Sequence, residues 1–501
     1  MPAREADVTF GPAWSGTESA TYPGRFPLSV ERHVLNTVDR LVPGVTTVTL
    51  NARYYAVHAL IAADASARHL DLVAAQNLMR RAEVAVGAVS ARHVHVDASA
   101  HAALSRPHAY DLISPQVRAG HVDIAALAAP RVYAQPGWGF WPAYRSSEMV
   151  LRIITRADDI GPGDRLDMSA VREGLGDILE LARRDTLSTA ELDENAHLCI
   201  CRSAASTDGA WLANLLAAPG AITPMTRAGM RRQTIAMVAR SVELENVRHV
   251  PADVPKFVAY SEQAAQDPVL ARMDLTAEWR GLVLRNCSVT AWRVLWAWIV
   301  NGIDGLTSRS ELAGQLADAL PGGTVRAFRA RLPDTRTATG RPAPAEINED
   351  LLAAEEAEFC LSVLMLGANR SQELEGNELH GFQGHEPDDI YEELAPAWLV
   401  DRLGEWNDRP LRDFACWLAD TMLNRSQRLA LRKARLNLKD GVLKIPTRVY
   451  LRDGFVFRDS TETGGEASLR LGQLASILAG VGLLGQADGR WTAGPRGDLL
   501  A

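Results

Sequence analysis

The apolar segment "VTAWRVLWAWIVNGI", residues 289–303, constrains the fold more than any other part of the chain. It has 15 residues and includes an arginine and an asparagine, whereas a membrane-spanning helix needs about 20 consecutive apolar residues. Trp292, Trp296 and Ile299 share one face at helical spacing. The segment therefore predicts a buried helix surrounded by other helices, and no membrane partner is expected.

Helical periodicity recurs through most of the chain. At 501 residues the chain is too long for one typical core, so several domains are expected. The abundance of Ala, Leu and Arg favours helices over sheet, and Ala and Arg richness is typical of a GC-rich bacterial genome. The predicted fold class is mainly α, with an N-terminal helical region over residues 1–145 and a central helical region over residues 146–320.

The clearest predicted boundary is "LPGGTVRAFRARLPDTRTATGRPAPAEIN". This stretch is rich in Pro, Gly, Thr and Arg and has little apolar periodicity, which is typical of a linker. It predicts a basic linker over residues 321–346. A second helical region is expected over residues 347–440, and a small α+β module over residues 441–501.

The C-terminal module combines strand and helix signals. In "TRVYLRDGFVFRDS" two β-rich runs flank Asp453-Gly454, a pair that favours a type I′ hairpin turn. An amphipathic helix follows, then "GLLGQADGRWTAGPRGDLLA" with a second Asp-Gly turn. Residues 466–501 resemble the end of a winged-helix domain, although a hairpin precedes the helix where that family has a second short helix. The resemblance implies a module that binds DNA, dimerises or docks another protein.

A basic stretch, "RSQRLALRKARLNLK" at residues 425–439, contains no acid. Arginines at helical spacing form one stripe that can follow a phosphate backbone. The predicted nucleic-acid-binding residues are Arg425, Arg428, Arg432, Lys433, Arg435 and Lys439. The alternative is a helix face that pairs with acids such as those of "HEPDDIYEE", residues 385–393. The net charge of -8 confines any nucleic-acid contact to a local surface.

The aromatic stretch "QPGWGFWPAYRSSE", residues 135–148, joins two predicted helices. Its glycines permit tight turns and its rings can bury a large area, so packing between the helices is the first interpretation. The alternative is stacking on unpaired bases. The candidate stacking residues are Trp138, Phe140, Trp141 and Tyr144.

Two stretches offer metal ligands. In a strand, His93, His95 and Asp97 would point to one side, as a transition metal requires, and an ordinary polar loop is the alternative. The stretch "HLCIC", residues 197–201, offers soft ligands. Its apolar surroundings and the absence of a second cysteine pair favour core packing instead.

No motif identifies an enzyme class, since nucleotide-binding and hydrolase signatures are missing. Five scattered cysteines suit a reducing compartment, and the N-terminus lacks the pattern of a signal peptide, so a cytoplasmic protein is expected. We expect a non-catalytic, DNA-associated or assembly-forming subunit of a bacterial multi-protein system, by analogy an antiviral defence system. The expected partners are DNA and other protein subunits or further copies of itself, with no cofactor. The alternatives are a metal-dependent enzyme built on His93, His95 and Asp97, and a structural interaction scaffold.

Overall fold

The computed structural model describes residues 26–133, 139–155, 160–218, 223–384, 392–437 and 442–500. Within these residues the chain is mainly α-helical, which confirms the predicted fold class. The helices are α1 (Arg32–Leu41), α2 (Arg53–Ala67), α3 (Leu72–Val96), α4 (Tyr110–Arg118), α5 (Ile124–Leu127), α6 (Pro130–Tyr133), α7 (Arg145–Leu151), α8 (Met168–Leu175), α9 (Ile178–Leu181), α10 (Thr189–Glu194), α11 (Thr207–Ala217), α12 (Arg227–Leu244), α13 (Val250–Tyr260), α14 (Glu262–Gln266), α15 (Asp274–Asn301), α16 (Arg309–Asp318), α17 (Val325–Arg329), α18 (Glu349–Leu352), α19 (Glu356–Glu373), α20 (Gly376–Gln383), α21 (Pro396–Trp406), α22 (Leu411–Arg432) and α23 (Leu471–Gly480).

The strands are short and form small antiparallel sheets. They are β1 (His121–Asp123), β2 (Thr186–Ser188), β3 (Leu306–Ser308), β4 (Arg435–Asn437), β5 (Val442–Lys444), β6 (Val449–Arg452), β7 (Phe455–Arg458), β8 (Leu484–Ala487) and β9 (Arg490–Ala493). The three-stranded sheet has the order β3-β7-β6, and β1-β2, β4-β5 and β8-β9 form two-stranded sheets.

The chain divides into two compact units, each built from two separate stretches. The first unit comprises residues up to Thr37 and Ala277–Ala467, and the second comprises Val38–Thr276 and Ser468–Ala501. These limits differ from the predicted regions. The expected linker lies inside the first unit, and the expected module over residues 441–501 is divided between the two.

The apolar segment at residues 289–303 lies in the first unit. Trp292, Trp296 and Ile299 are all buried on α15, as predicted. Among the described residues, no helix combines the length and apolar character that crossing a membrane requires. Helix α16 packs against α22, and β3 extends the hairpin β6-β7 into a sheet. The hairpin turn has positive φ at Asp453 and Gly454, which confirms the type I′ prediction.

The stretch predicted as a linker is folded. It contains α17, and a β-bridge joins Arg336 to Pro342. The buried guanidinium of Arg370 donates to both carboxylate oxygens of Glu346 and to two backbone carbonyls of the stretch. Arg370 of α19 thus helps to anchor a segment that has little apolar periodicity of its own.

The second unit is built around α2, whose residues from Arg53 to Ala62 are all buried. This helix packs against α3 and α8, and α8 packs against α11. The C-terminal helix α23 packs against α13 and against the 3-10 segment Ile200–Ala205. The hairpin β8-β9 follows, with positive φ at Asp488 and Gly489. The winged-helix resemblance of this end stays a prediction.

Candidate metal centre

The histidines near residue 95 lie on a helix, so the strand on which their predicted grouping depended is wrong. Asp71 caps α3 by accepting a hydrogen bond from the N–H of Ala74, and the helix continues to Val96. Side chains two residues apart on a helix point to nearly opposite sides. His93 is buried, whereas His95 contacts the Ser114 hydroxyl through Nε2 at 3.0 Å. The structure therefore separates His93 from His95.

Asp97 shapes the turn that follows α3. Its carboxylate accepts hydrogen bonds from the Ser99 hydroxyl at 2.5 Å and from the N–H of Ala100 at 3.2 Å. The bond from Ser99 is the main reason why the pKa of Asp97 is lowered. The resulting 3-10 turn, Ser99–His101, places Nε2 of His101 3.1 Å from Nδ1 of His93. Asp97 thus positions a partner for His93 and lies outside the cluster itself.

Two cysteines complete the cluster from a distant part of the chain. Cys199 has extended backbone between two 3-10 segments, Ala196–Leu198 and Ile200–Ala205. The N–H of Ile200 donates to Ser90 on α3 at 3.1 Å. These contacts turn the thiol groups of Cys199 and Cys201 toward the two histidines.

A buried arginine fixes the cysteine segment. Arg53 donates from Nη1 to the carbonyls of His197 and Cys199, both at 2.6 Å. The same guanidinium forms two 3.1 Å hydrogen bonds with the buried carboxylate of Asp208 on α11. The paired charge lets an arginine side chain that is 1% exposed occupy the core. Arg53 is therefore a positioning residue for Cys199.

The four side chains form a closed ring of contacts. Their successive separations are 3.1 Å (His93 Nδ1 to His101 Nε2), 3.3 Å (His101 Nε2 to Cys199 Sγ), 3.4 Å (Cys199 Sγ to Cys201 Sγ) and 3.4 Å (Cys201 Sγ to His93 Nδ1). All four ligand atoms lie within 4.8 Å of one another. Around zinc, with Zn–S of about 2.3 Å and Zn–N of about 2.0 Å, a tetrahedron separates its ligand atoms by roughly 3.3–3.8 Å. Four of the six separations in the cluster are within a few tenths of an ångström of these values, and the other two are at most 4.8 Å.

The protonation of the thiols also suits a metal. The hydrogen bond that Cys201 donates lowers the pKa of Cys199, although burial opposes this effect. The same hydrogen bond, together with burial, raises the pKa of Cys201. Cys199 is therefore the more easily ionised thiol of the pair, and a thiolate is the form that binds metals.

Two imidazoles and two thiols are a ligand set that favours Zn²⁺. A zinc ion held by all four side chains would have only protein ligands, which is typical of a closed, structural site. Sequence reasoning singled out His93 and the stretch that contains Cys199 and Cys201, but in separate hypotheses, and it assigned no ligand role to His101. The absent second cysteine pair was misleading, because the partners of the cysteines are histidines about 100 residues away.

The basic stretch is divided by the structure. Arg425 is buried on α22, where it donates to the carbonyl of Leu28 at 2.6 Å and pairs with Glu392 at 2.8 Å. Arg428 pairs with Glu393. Both acids belong to the acidic run at residues 385–393, the alternative partner that the sequence offers.

The remaining cations of the stretch do not continue the helical stripe. Helix α22 ends at Arg432, so the expected extension of the helix through Arg435 is wrong. Arg435 begins β4 and is exposed. Arg432 is also exposed, while Lys433 donates to the carbonyl of Phe26 at 3.1 Å. Lys439 lies outside the described residues.

Two of the three described aromatic rings of the stretch are buried. Residues Phe140–Tyr144 form a π-helical turn that leads directly into α7. Phe140 and Tyr144 are buried, and the Tyr144 hydroxyl donates to the carbonyl of Asn51 at 3.0 Å. Trp141 is 37% exposed and contacts Phe140 edge to face. Trp138 lies outside the described residues.

Comparisons with protein-family models, with curated proteins and with solved structures gave no match to this chain.

Proposed function

We propose that this chain is a zinc-binding helical protein in which His93, His101, Cys199 and Cys201 hold one structural Zn²⁺. The observation that carries the proposal is the closed ring of four ligand atoms, whose neighbours are 3.1–3.4 Å apart. Four protein ligands leave no position for a substrate or a reactive water. The site therefore supports binding or assembly more than catalysis, in line with an assembly-forming subunit.

The metal would connect parts of the second unit that are far apart in sequence. Two ligands come from the end of α3 and the turn after it, and two come from the 3-10 region about 100 residues later. A ligand that binds only the folded state stabilises it, by about 4 kcal/mol when its free concentration is 1,000 times its Kd. All five cysteines are free thiols, so the proposal includes a reducing, cytoplasmic location.

The test is zinc analysis of the purified full chain, stripped of metal and reconstituted under reducing conditions. One zinc per chain is expected for the wild type. His101→Ala and Cys199→Ser are expected to bind well below one zinc per chain. Matched controls are His95→Ala, which removes a neighbouring histidine that faces away, and Cys416→Ser, which removes a cysteine of the first unit. Both controls should retain one zinc.

Cobalt substitution tests the geometry independently. A Co²⁺-loaded chain should show thiolate-to-cobalt charge transfer and the intense visible bands of a tetrahedral ion, and Cys201→Ser should weaken the charge-transfer band. A wild-type chain that takes up no zinc after reconstitution, or whose uptake is unchanged in His101→Ala, would refute the proposal.

A second proposal, association with DNA, keeps support from the exposed arginines Arg432 and Arg435 at the end of the basic stretch. Exposed arginines are the groups that contact phosphate. Membership of a bacterial defence system is part of this second proposal. A salt titration with labelled DNA tests it.

A further inference from the structure

The outer nitrogen of His93 has an unusual partner for a metal ligand. Nη2 of Arg202 lies 3.3 Å from Nε2 of His93. A guanidinium only donates hydrogen bonds, so Nε2 must accept this one. In a neutral imidazole the proton is then on Nδ1. Nδ1 is the atom that faces His101 and Cys201, so the proton occupies the position that a metal would take.

Metal binding would reverse this arrangement. When Nδ1 of His93 binds zinc, the neutral ring carries its proton on Nε2, which becomes a donor. Two donors, Nε2–H and the Arg202 guanidinium, then face each other. Arg202 is exposed, so it has room to move into solvent without disrupting the core.

We propose that Arg202 is a gate on the metal centre: it holds His93 in the tautomer that cannot bind zinc, and it must leave when the ion enters. This inference rests on the proposed zinc function and adds a determinant of zinc affinity to it. Histidine ligands of zinc usually donate their outer N–H to a carboxylate, a carbonyl or a water, and losing that partner lowers affinity by 10- to 100-fold. Arg202 offers the opposite polarity, so it lowers affinity.

The substitutions of Arg202 differ in whether the new side chain can accept a hydrogen bond from Nε2–H of His93. Arg202→Gln supplies an amide oxygen that accepts from Nε2–H, and zinc affinity is expected to rise about tenfold. Arg202→Met removes the guanidinium and supplies no acceptor, so a smaller rise is expected. The matched control is Arg92→Gln. Arg92 is the residue before His93 and pairs with Asp193, so this change removes the same charge close to the site without touching Nε2.

The measurement is competition for zinc between the full-length, metal-stripped chain and a chromogenic chelator, with far-UV circular dichroism to verify folding. The inference predicts the affinity order Arg202→Gln, then Arg202→Met, then wild type, with Arg92→Gln close to wild type. If Arg202→Gln binds zinc no more tightly than wild type, the inference is overturned. An equal rise in Arg92→Gln would also overturn it, because charge alone would then explain the effect.

The two proposals fail in different ways. If the wild type and Arg202→Gln both take up no zinc, the zinc function itself is refuted. If both bind one zinc with the same affinity, only the gate is refuted.

Discussion

Replacing His58 tests whether a buried charged triad holds three helices of the second unit together. Nδ1 of His58 on α2 lies 2.5 Å from the Glu148 carboxylate on α7, and Nε2 lies 2.6 Å from the Glu83 carboxylate on α3. All three side chains are at most 1% exposed. His58→Gln removes the cation and leaves two carboxylates facing each other in the core. Removing one partner of a buried ion pair costs about 3–5 kcal/mol.

The pKa of His58 gives a second value for the free energy that the triad contributes to stability. Burial by itself lowers this pKa, but the charge and hydrogen bond of Glu148, followed by those of Glu83, raise it from 6.5 to about 9. Since one pKa unit is worth about 1.4 kcal/mol, the rise corresponds to roughly 3 kcal/mol. Because the pKa of the folded state is raised, this stabilisation is complete below pH 6.5 and is lost as the pH rises toward 9.

The assay is urea unfolding of zinc-saturated protein, followed by circular dichroism at pH 6, 7.5 and 9. Wild-type stability should fall across this window, whereas His58→Gln should be less stable than the wild type at pH 6, and the difference should narrow toward pH 9 as His58 of the wild type loses its proton. Glu148→Gln in the His58→Gln background should recover part of the loss, because it removes an uncompensated buried charge. The control His121→Gln alters an exposed histidine and should behave as wild type. A cost below about 1 kcal/mol together with a flat wild-type profile would refute the reasoning.

Three further predictions concern the two units. Arg53→Met should lower zinc uptake, because it frees the carbonyl of Cys199. It should also lower the free energy of unfolding by about 3–5 kcal/mol, because it leaves Asp208 buried without a cation. Normal zinc uptake would contradict the positioning role. Arg425→Ala should lower the thermal midpoint of unfolding, because Arg425 is buried in ion pairs, and should leave DNA affinity unchanged. Arg432→Ala combined with Arg435→Ala should weaken DNA binding and reduce the slope of log affinity against log salt by roughly 2. The DNA proposal would be refuted if the variant and the wild type had equal slopes, or if the wild type did not bind DNA at low salt.

The hairpin turn and the buried helix α15 could be predicted because each depends on residues that are close together in the sequence. The turn at Asp453-Gly454 depends on two residues that tolerate positive φ, so the pair and its β-rich flanks are enough to identify it. The burial of Trp296 follows from helical periodicity and from a length too short for a membrane span. Such features need no knowledge of the rest of the chain.

The candidate site depended on contacts that no local pattern contains. The H-x-H pattern of residues 93–95 suggests a shared face only in a strand, and a helix separates the two rings. The pairing of His101 with Cys199 arises from the Asp97 turn and from the carbonyl contacts of Arg53, which are tertiary interactions. The sequence pattern also does not mark the end of α22 at Arg432, because the basic residues continue beyond it.

The discontinuous build of the second unit has a consequence for synthesis on the ribosome. All four ligands of the metal centre have been translated once Cys201 is made, but the C-terminal helix of the same unit starts only at Leu471. At about 5–20 residues per second, this delay is roughly 15–50 s. A zinc ion bound at that stage would hold the ligand-bearing segments together before the last helix of the unit is made, so zinc supply during translation would favour correct folding.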